Sequence, residues 1–437
     1  MGFYNKESLF LNSQTARELY EGVKDTPIID FHCHLDAREI EEDKNFTNIG
    51  EFWLARDHYK WRAMRICGVD ERLITGGSSW HEKFHAFAGV MPKLCGSPLY
   101  HWAHMELSAL FGISSPLDEN SAERVWREAN PILSELSPKK LLKHFNVEYV
   151  GTTDDIADSL IYHGKKDGLT VAPTFRTDRL FGLDEGFFSD LGSPGSLSEL
   201  KAAITQRLDF FIKKGMSAAD CSLDFSPNLP CGEEEAERIF LTRDTSGKQA
   251  FISHMLCFLC SLYQKNGVVF QLHLGTHRNV NPKMFSALGG DSGFDVERGS
   301  VDVDSLARFF GFLEDAGALP TTILYTLNSN YLEPLAVLAG GFRNVYLGSA
   351  WWFNDTAGGI KKQLSALSEY HALGVMPGMV SDSRSFSSYV RFDFFRRILA
   401  SFAADRVDGG EYDKNSAKSL MEDICYNNAR RMFVKKA

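Results

Sequence analysis

Short apolar, β-branched runs that end in polar residues recur along this chain, and most are followed by apolar positions at helical spacing. The runs cover 27–31, 147–150, 170–175, 217–223, 268–272, 321–327, 345–350 and 375–380. Helical patterns fit over 200–213, 249–264, 303–314, 359–373 and 388–402, with a last one over 415–434. Parallel strands need crossover connections, so the alternation predicts an α/β fold, and eight such units predict a (β/α)8 barrel of TIM type. A doubly wound open sheet is the competing arrangement, but no G-x-G-x-x-G follows the first run. In a barrel the polar ends of the runs would meet at one mouth.

The interval 37–145 breaks this rhythm. It is too long for an unstructured loop, and its segments 51–65 and 121–133 read as helices. The expected organisation is 1–36 with the first strand, 37–145 as a mostly helical insertion over the mouth, and 146–437 as the rest of the barrel with its C-terminal helix.

Composition narrows the function classes. The chain has 437 residues, 47 basic and 57 acidic, for a net charge of -10. That balance argues against a general nucleic-acid binder, and an anionic small molecule would have to be drawn in by local arginines. No apolar stretch approaches the ~18 residues of a membrane span. The opening MGFYNKESLF has no signal-peptide apolar core, and Lys6 stands where a myristoylation signal wants Ser or Thr. Eight cysteines are too sparse for a disulfide scaffold, and the pair Cys257 and Cys260 lies in a run that reads as buried helix. A cytoplasmic location is expected. Neither G-x-x-x-x-G-K-[ST] nor G-x-S-x-G is present.

The chemistry gathers at the ends of the runs. His32 and His34 follow the first and, being two apart in extended chain, point to one side, where both imidazoles can reach one divalent metal. Asp382 follows the last run. In a closed barrel it neighbours the first strand and completes two imidazoles and a carboxylate, or it caps the next helix. Arg176 and Arg384 suit a substrate carboxylate, or ion pairs with Asp178 or another wall carboxylate. His58, Tyr59 and Arg62 crowd one short segment of the insertion, which serves either as proton-handling groups or as a solvated helix face. His273 is a ligand, a proton carrier or a buried satisfied imidazole, and Trp351 with Trp352 is packing or pocket wall. A bridged two-metal site lacks ligands: the fourth run ends near Asp220 without a lysine, and the sixth ends at Asn328 without a histidine.

Taken together, the motifs D-F-H-C-H-L (30–35), D-H-Y-K-W-R-A-M-R (57–65), P-T-F-R-T-D (173–178), W-W-F-N-D (351–355) and G-M-V-S-D-S-R-S-F (378–386) resemble the uronate isomerase (glucuronate isomerase) family of the amidohydrolase superfamily. The likeness also runs through L-Y-H-W-A-H-M-E-L (99–107), V-G-T-T-D-D (150–155), Q-L-H-L-G (271–275), T-I-L-Y-T-L-N (322–328) and N-N-A-R-R-M-F (427–433), covering essentially the whole chain.

The resemblance implies an intracellular aldose–ketose isomerase on a distorted (β/α)8 barrel. It would interconvert D-glucuronate and D-fructuronate, and D-galacturonate and D-tagaturonate, through a cis-enediol. One divalent metal, commonly zinc, would sit on His32, His34 and Asp382. Arg176 and Arg384 would clamp the substrate carboxylate, with His273, Arg62 and Trp351 around it. Tyr59 or Asp382 would be the C2 base, Arg62 and the metal activating the tyrosine. A homo-oligomer with no nucleic-acid or membrane partner is expected.

Departures exist. Relatives read S-D-H-G where this chain has Ala219-Asp220-Cys221-Ser222, so an active-site imidazole is expected to be missing. The loop 275–281 reads G-T-H-R-N-V-N instead of G-A-L-R-N-N-N, and Asn328-Ser329-Asn330 lacks the usual charges. A one-metal hydrolase or decarboxylase, and an impaired uronate-binding protein, stand as alternatives.

Overall fold

The computed structural model describes residue 5 and residues 7–434; Lys6 lies outside them. The strands are β1 (Ile28–Asp30), β2 (Val147–Gly151), β3 (Asp154–Asp155), β4 (Gly164–Lys166), β5 (Leu169–Ala172), β6 (Thr174–Arg176), β7 (Ala218–Leu223), β8 (Val269–Leu274), β9 (Thr276–His277), β10 (Val296–Glu297), β11 (Thr322–Thr326) and β12 (Val345–Leu347). One sheet has the order β1-β2-β5-β4 and another β12-β11-β8-β7-β6-β3, with β9 and β10 as a separate pair. Neighbours in the two larger sheets are parallel except β4 with β5.

The run over 170–175 was expected as one strand and is two. Pro173 offers no N–H, so the ladder breaks there, and β5 and β6 belong to different sheets. The same crossing joins β2 to β3, and Thr152 N donates to Ala172 O (3.1 Å) between the two crossing chains.

Among the described residues the strands form these sheets and no closed barrel. The strand expected over 375–380 does not form. Pro377 cannot donate, and Gly378 sits at φ +104, where a Cβ would lie 2.5 Å from Ile424 O. The next residues nevertheless run beside the end of β1. Asp382 N donates to His32 O (3.1 Å) and His34 N to Ser383 O (3.0 Å). The buried Asp30 carboxylate accepts from Ser381 N (2.9 Å).

Helices follow most strands and cover the sheets. Leu197–Lys213 shows why: Ser196 caps it, and Leu197, Leu200, Ile204, Leu208 and Phe211 form one buried stripe at helical spacing. Each such side chain contributes roughly 1.5–3 kcal/mol of burial, enough to fix which face turns inward. Cys257 and Cys260 sit in helix Lys248–Asn266, where burial pushes the Cys257 thiol up to about 12 and raises that of Cys260 well above its ordinary value. Among the described residues no helix is long and apolar enough to cross a membrane.

Between β1 and β2 the chain is helical. The segment expected as one helix over 51–65 is two, Ile49–Leu54 and His58–Ile66. Asp57 causes the break, accepting from Lys60 N (3.0 Å) and Lys60 Nζ (2.7 Å) while buried. The second helix therefore begins with His58 and Tyr59 at its N-terminal end.

Candidate active site

At the C-terminal ends of the parallel strands lies a cavity of about 760 Å³. His32, His34, His58, Tyr59, Arg176, His273, Trp351, Asp382 and Arg384 all line it. Arg62, expected beside the substrate, does not. Its guanidinium donates to the carbonyls of Gly293 (3.3 Å) and Asp295 (2.8 Å) and lies over the Phe353 ring, so it neither reaches this cavity nor activates Tyr59.

Asp382 is the hub. Its Oδ1 is 3.4 Å from His32 Nε2 and 3.2 Å from His34 Nε2. Its Oδ2 accepts from Trp351 Nε1 (2.8 Å) and from the Tyr59 hydroxyl (3.4 Å). Trp351 is thus pocket wall and hydrogen-bond donor at once. Asp382 holds φ 46 and Trp352 φ 51, left-handed conformations that cost a non-glycine residue on the order of 1–3 kcal/mol. The Asp382 N–H bond to His32 O holds the first of these in place.

The donors fit a cation. Ligands 2.0–2.2 Å from a tetrahedral ion lie about 3.3–3.6 Å apart, close to the spacing of each imidazole from Asp382. Thr153 Oγ1 is 2.7 Å from His34 Nδ1, and an Nδ1–H donated there leaves the Nε2 lone pair facing inward. Burial pushes the His34 imidazole down to about 4, which keeps it neutral and able to ligate. For Asp382, burial alone would raise the carboxyl, but His32 and His34 outweigh it and hold it well below the usual range.

His273 lies inside β8 rather than at its end, stacked on Tyr325 (4.5 Å between centroids) and near His32 (4.6 Å). Burial, then His32, depress its imidazole well below the ordinary value. The buried atoms His32 Nδ1, His273 Nε2 and Asp220 Oδ1 have no protein hydrogen-bond partner. An unsatisfied buried polar atom costs about 1–3 kcal/mol, so three of them converging mark a place meant to be filled.

The two arginines are both engaged. Arg176 donates to Asp220 Oδ2 (2.7 Å) and Asp178 Oδ2 (3.0 Å), and these carboxylates overcome burial to hold it charged. Arg384 donates to Asp291 Oδ2 (2.8 Å) and lies 3.3 Å from His58 Nδ1. Burial and then Arg384 keep His58 low, so its Nδ1 accepts.

Position 221 also requires correction. Residues alternate along β7, so Asp220 and Ser222 face the arginines and cavity while Cys221 turns into the helix-covered core, fully buried. A histidine at 221 would point the same way, so the cysteine removes no group from this site. Burial raises its thiol well above the ordinary value.

A family model described as glucuronate isomerase matches residues 1–433. The chain belongs to the glucuronate isomerase family. It is 41% identical to the uronate isomerase of Caldanaerobacter subterraneus over 457 residues, covering 97% of this chain and 98% of that one. It is 38% identical to the uronate isomerase of Histophilus somni over 460 residues, covering 98% of each. The crystal structure of Thermotoga maritima uronate isomerase matches it with TM-score 0.94 and 32% identity, covering 99% of this chain and 100% of that chain. As a member of the glucuronate isomerase family this chain is an isomerase.

Three further residues of this region were given no role from the sequence. Asp291 lies in a glycine-rich loop between helix Pro282–Leu288 and β10, and only the fold brings it to Arg384 and, at 3.7 Å, Arg278. Arg278 itself lines the cavity with its guanidinium over Trp352. Asp355 is buried, and burial pushes its carboxyl up to about 7 against the pull of Arg391.

Proposed function

We propose that this cavity interconverts D-glucuronate with D-fructuronate, and D-galacturonate with D-tagaturonate, by moving a proton between C2 and C1 of the open-chain sugar. The observation that carries the reading is the Tyr59–Asp382 hydrogen bond, set beside two imidazoles in a cavity that Arg384 also lines.

The protein's own groups divide the work. Asp291 is a carboxylate on Arg384, and a uronate C6 carboxylate is the same chemical group, so substrate takes that place. His58 positions Arg384 by accepting its Nη1 hydrogen. Arg176, tied by both Asp178 and Asp220, keeps a charged edge toward the sugar and fixes its orientation. Burial, then the charge of Asp382, push the Tyr59 phenol well above its usual range. Tyr59 therefore acts as a base only when its own proton can leave, and its hydrogen bond to Oδ2 of Asp382 gives that proton a path to the sugar. Tyr59 takes the C2 proton as its own passes along that path to O1, giving the cis-enediol; the O2 hydroxyl proton then returns to Tyr59 as Tyr59 delivers a proton to C1, giving the ketose. A divalent ion held by His32, His34 and Asp382 would supply positive charge beside the C1 and C2 oxygens. Two imidazoles and one carboxylate support zinc.

The same reading includes a distorted (β/α)8 barrel carrying a helical insertion over 37–145. The bond from Asp382 N to His32 O, which brings the last segment beside the first strand, supports it. Eight free cysteines support a reducing, cytoplasmic setting. The test is to follow ketose formation from D-glucuronate, D-galacturonate and D-glucose. Turnover of either uronate at least 100-fold above glucose is expected; equal rates would remove the carboxylate clamp.

A further inference from the structure

We infer that the helical insertion carries a second divalent-metal site, formed by His81, His85 and Glu123 on its outer surface. None of the three lines the catalytic cavity, and the inference stands apart from the uronate reading.

His81 and His85 are one turn apart on helix Trp80–Val90, so their imidazoles share a face, with ring centroids 4.3 Å apart. Both Nε2 atoms point at a single oxygen of Glu123, at 2.9 and 3.3 Å. Glu123 stands in the first turn of a different helix, Ala122–Leu133. Its other oxygen faces Arg127 Nε at 3.5 Å, which leaves Oε2 to the imidazoles. Tetrahedral ligands lie about 3.3 Å apart, so a cation can enter among these atoms with little movement.

The backbone beneath is rigid. Ser79 and Glu82 form a capping box at the start of the first helix. Below the cluster Phe84, Phe87, Val125 and Ala129 are fully buried between the two helices. The His81 ring stands edge-on to Trp126 at 4.9 Å. Side-chain exposures of 45%, 31% and 50% leave the outer side open to water, which would complete the coordination. Two imidazoles with one carboxylate select borderline cations such as Zn²⁺, Ni²⁺ and Cu²⁺ over Mg²⁺ and Ca²⁺. Bound there, the ion ties the two helices together across their exposed edge.

The test uses full-length protein freed of metal by a chelator and titrated with zinc chloride, counting bound equivalents. Wild type is expected to take up one equivalent more than the double variant His81→Ala, His85→Ala. That variant keeps its circular dichroism and isomerase activity. Glu123→Gln, a milder change, is expected to weaken the same equivalent at least tenfold. Cobalt is expected to quench tryptophan fluorescence more in wild type than in the double variant, the difference coming from Trp126 beside His81. Equal zinc uptake and equal quenching in wild type and double variant would overturn the site and leave an ordinary surface pair.

Discussion

Asp382 faces the two histidines with one carboxylate oxygen and takes hydrogen bonds from Trp351 and Tyr59 on the other. In the proposed mechanism one oxygen would face a cation while the other takes the tyrosine's hydrogen bond. Tyr59→Phe removes only the proton path, so kcat should fall at least 100-fold with metal content unchanged; kcat near wild type would eliminate the tyrosine. Arg384→Ala should lower kcat/KM for uronates at least tenfold, about 1.4 kcal/mol. Asp291→Asn removes the carboxylate that occupies Arg384, so KM should drop while kcat stays within about twofold. A raised KM would make Asp291 a positioning residue instead. Asp355 gives a pH signature. Its folded carboxyl sits near 7 against 3.8 in the unfolded chain, so the native state loses stability as pH rises between those values. Asp355→Asn should therefore stabilise the protein by roughly 3–4 kcal/mol at pH 8, with the gain shrinking toward pH 4 in thermal melts. A gain independent of pH would contradict that. His32, His34, Asp382 and the two arginines were legible in the sequence because each follows an apolar, β-branched run, although the run before Asp382 and Arg384 forms no strand. Asp291 was not, since what matters is where its loop folds, which no local pattern records.

At the scale of elements, alternation and helical spacing located most strands and helices within a few residues. They failed where one residue interrupts a pattern. Pro173 splits one expected strand into β5 and β6, and Asp57 splits one expected helix by capping its second half. Arg62 is near Tyr59 in sequence, but its helix turns it toward the loop that carries Asp291. That loop leans on helix His58–Ile66 through Arg62 and Arg65. Gly293 makes the approach feasible, with φ +90 and His58 O 2.9 Å from where a Cβ would lie. Gly293→Ala should strain the loop by about 1–3 kcal/mol and lower kcat/KM several-fold through displaced His58 and Asp291. Unchanged kinetics with unchanged melting would show that the loop does not set the site.

Across the whole molecule, residues more than 300 positions apart are joined by backbone hydrogen bonds between the end of β1 and the segment around Asp382. Strand–helix alternation anticipated that meeting of chain ends, although the last segment is irregular and the strands divide into two sheets. Pro377 and Gly378 explain the irregularity. The meeting of ends is what gathers imidazoles, carboxylate, phenol and guanidinium around one cavity, and the chemistry proposed for it is a proton moved between adjacent carbons. NMR of D-glucuronate incubated with the metal-loaded protein in D2O reads that transfer directly. D-fructuronate carrying solvent deuterium at C1 is the expected result. Recovery of unchanged glucuronate, or loss of CO2 without any ketose, would contradict it.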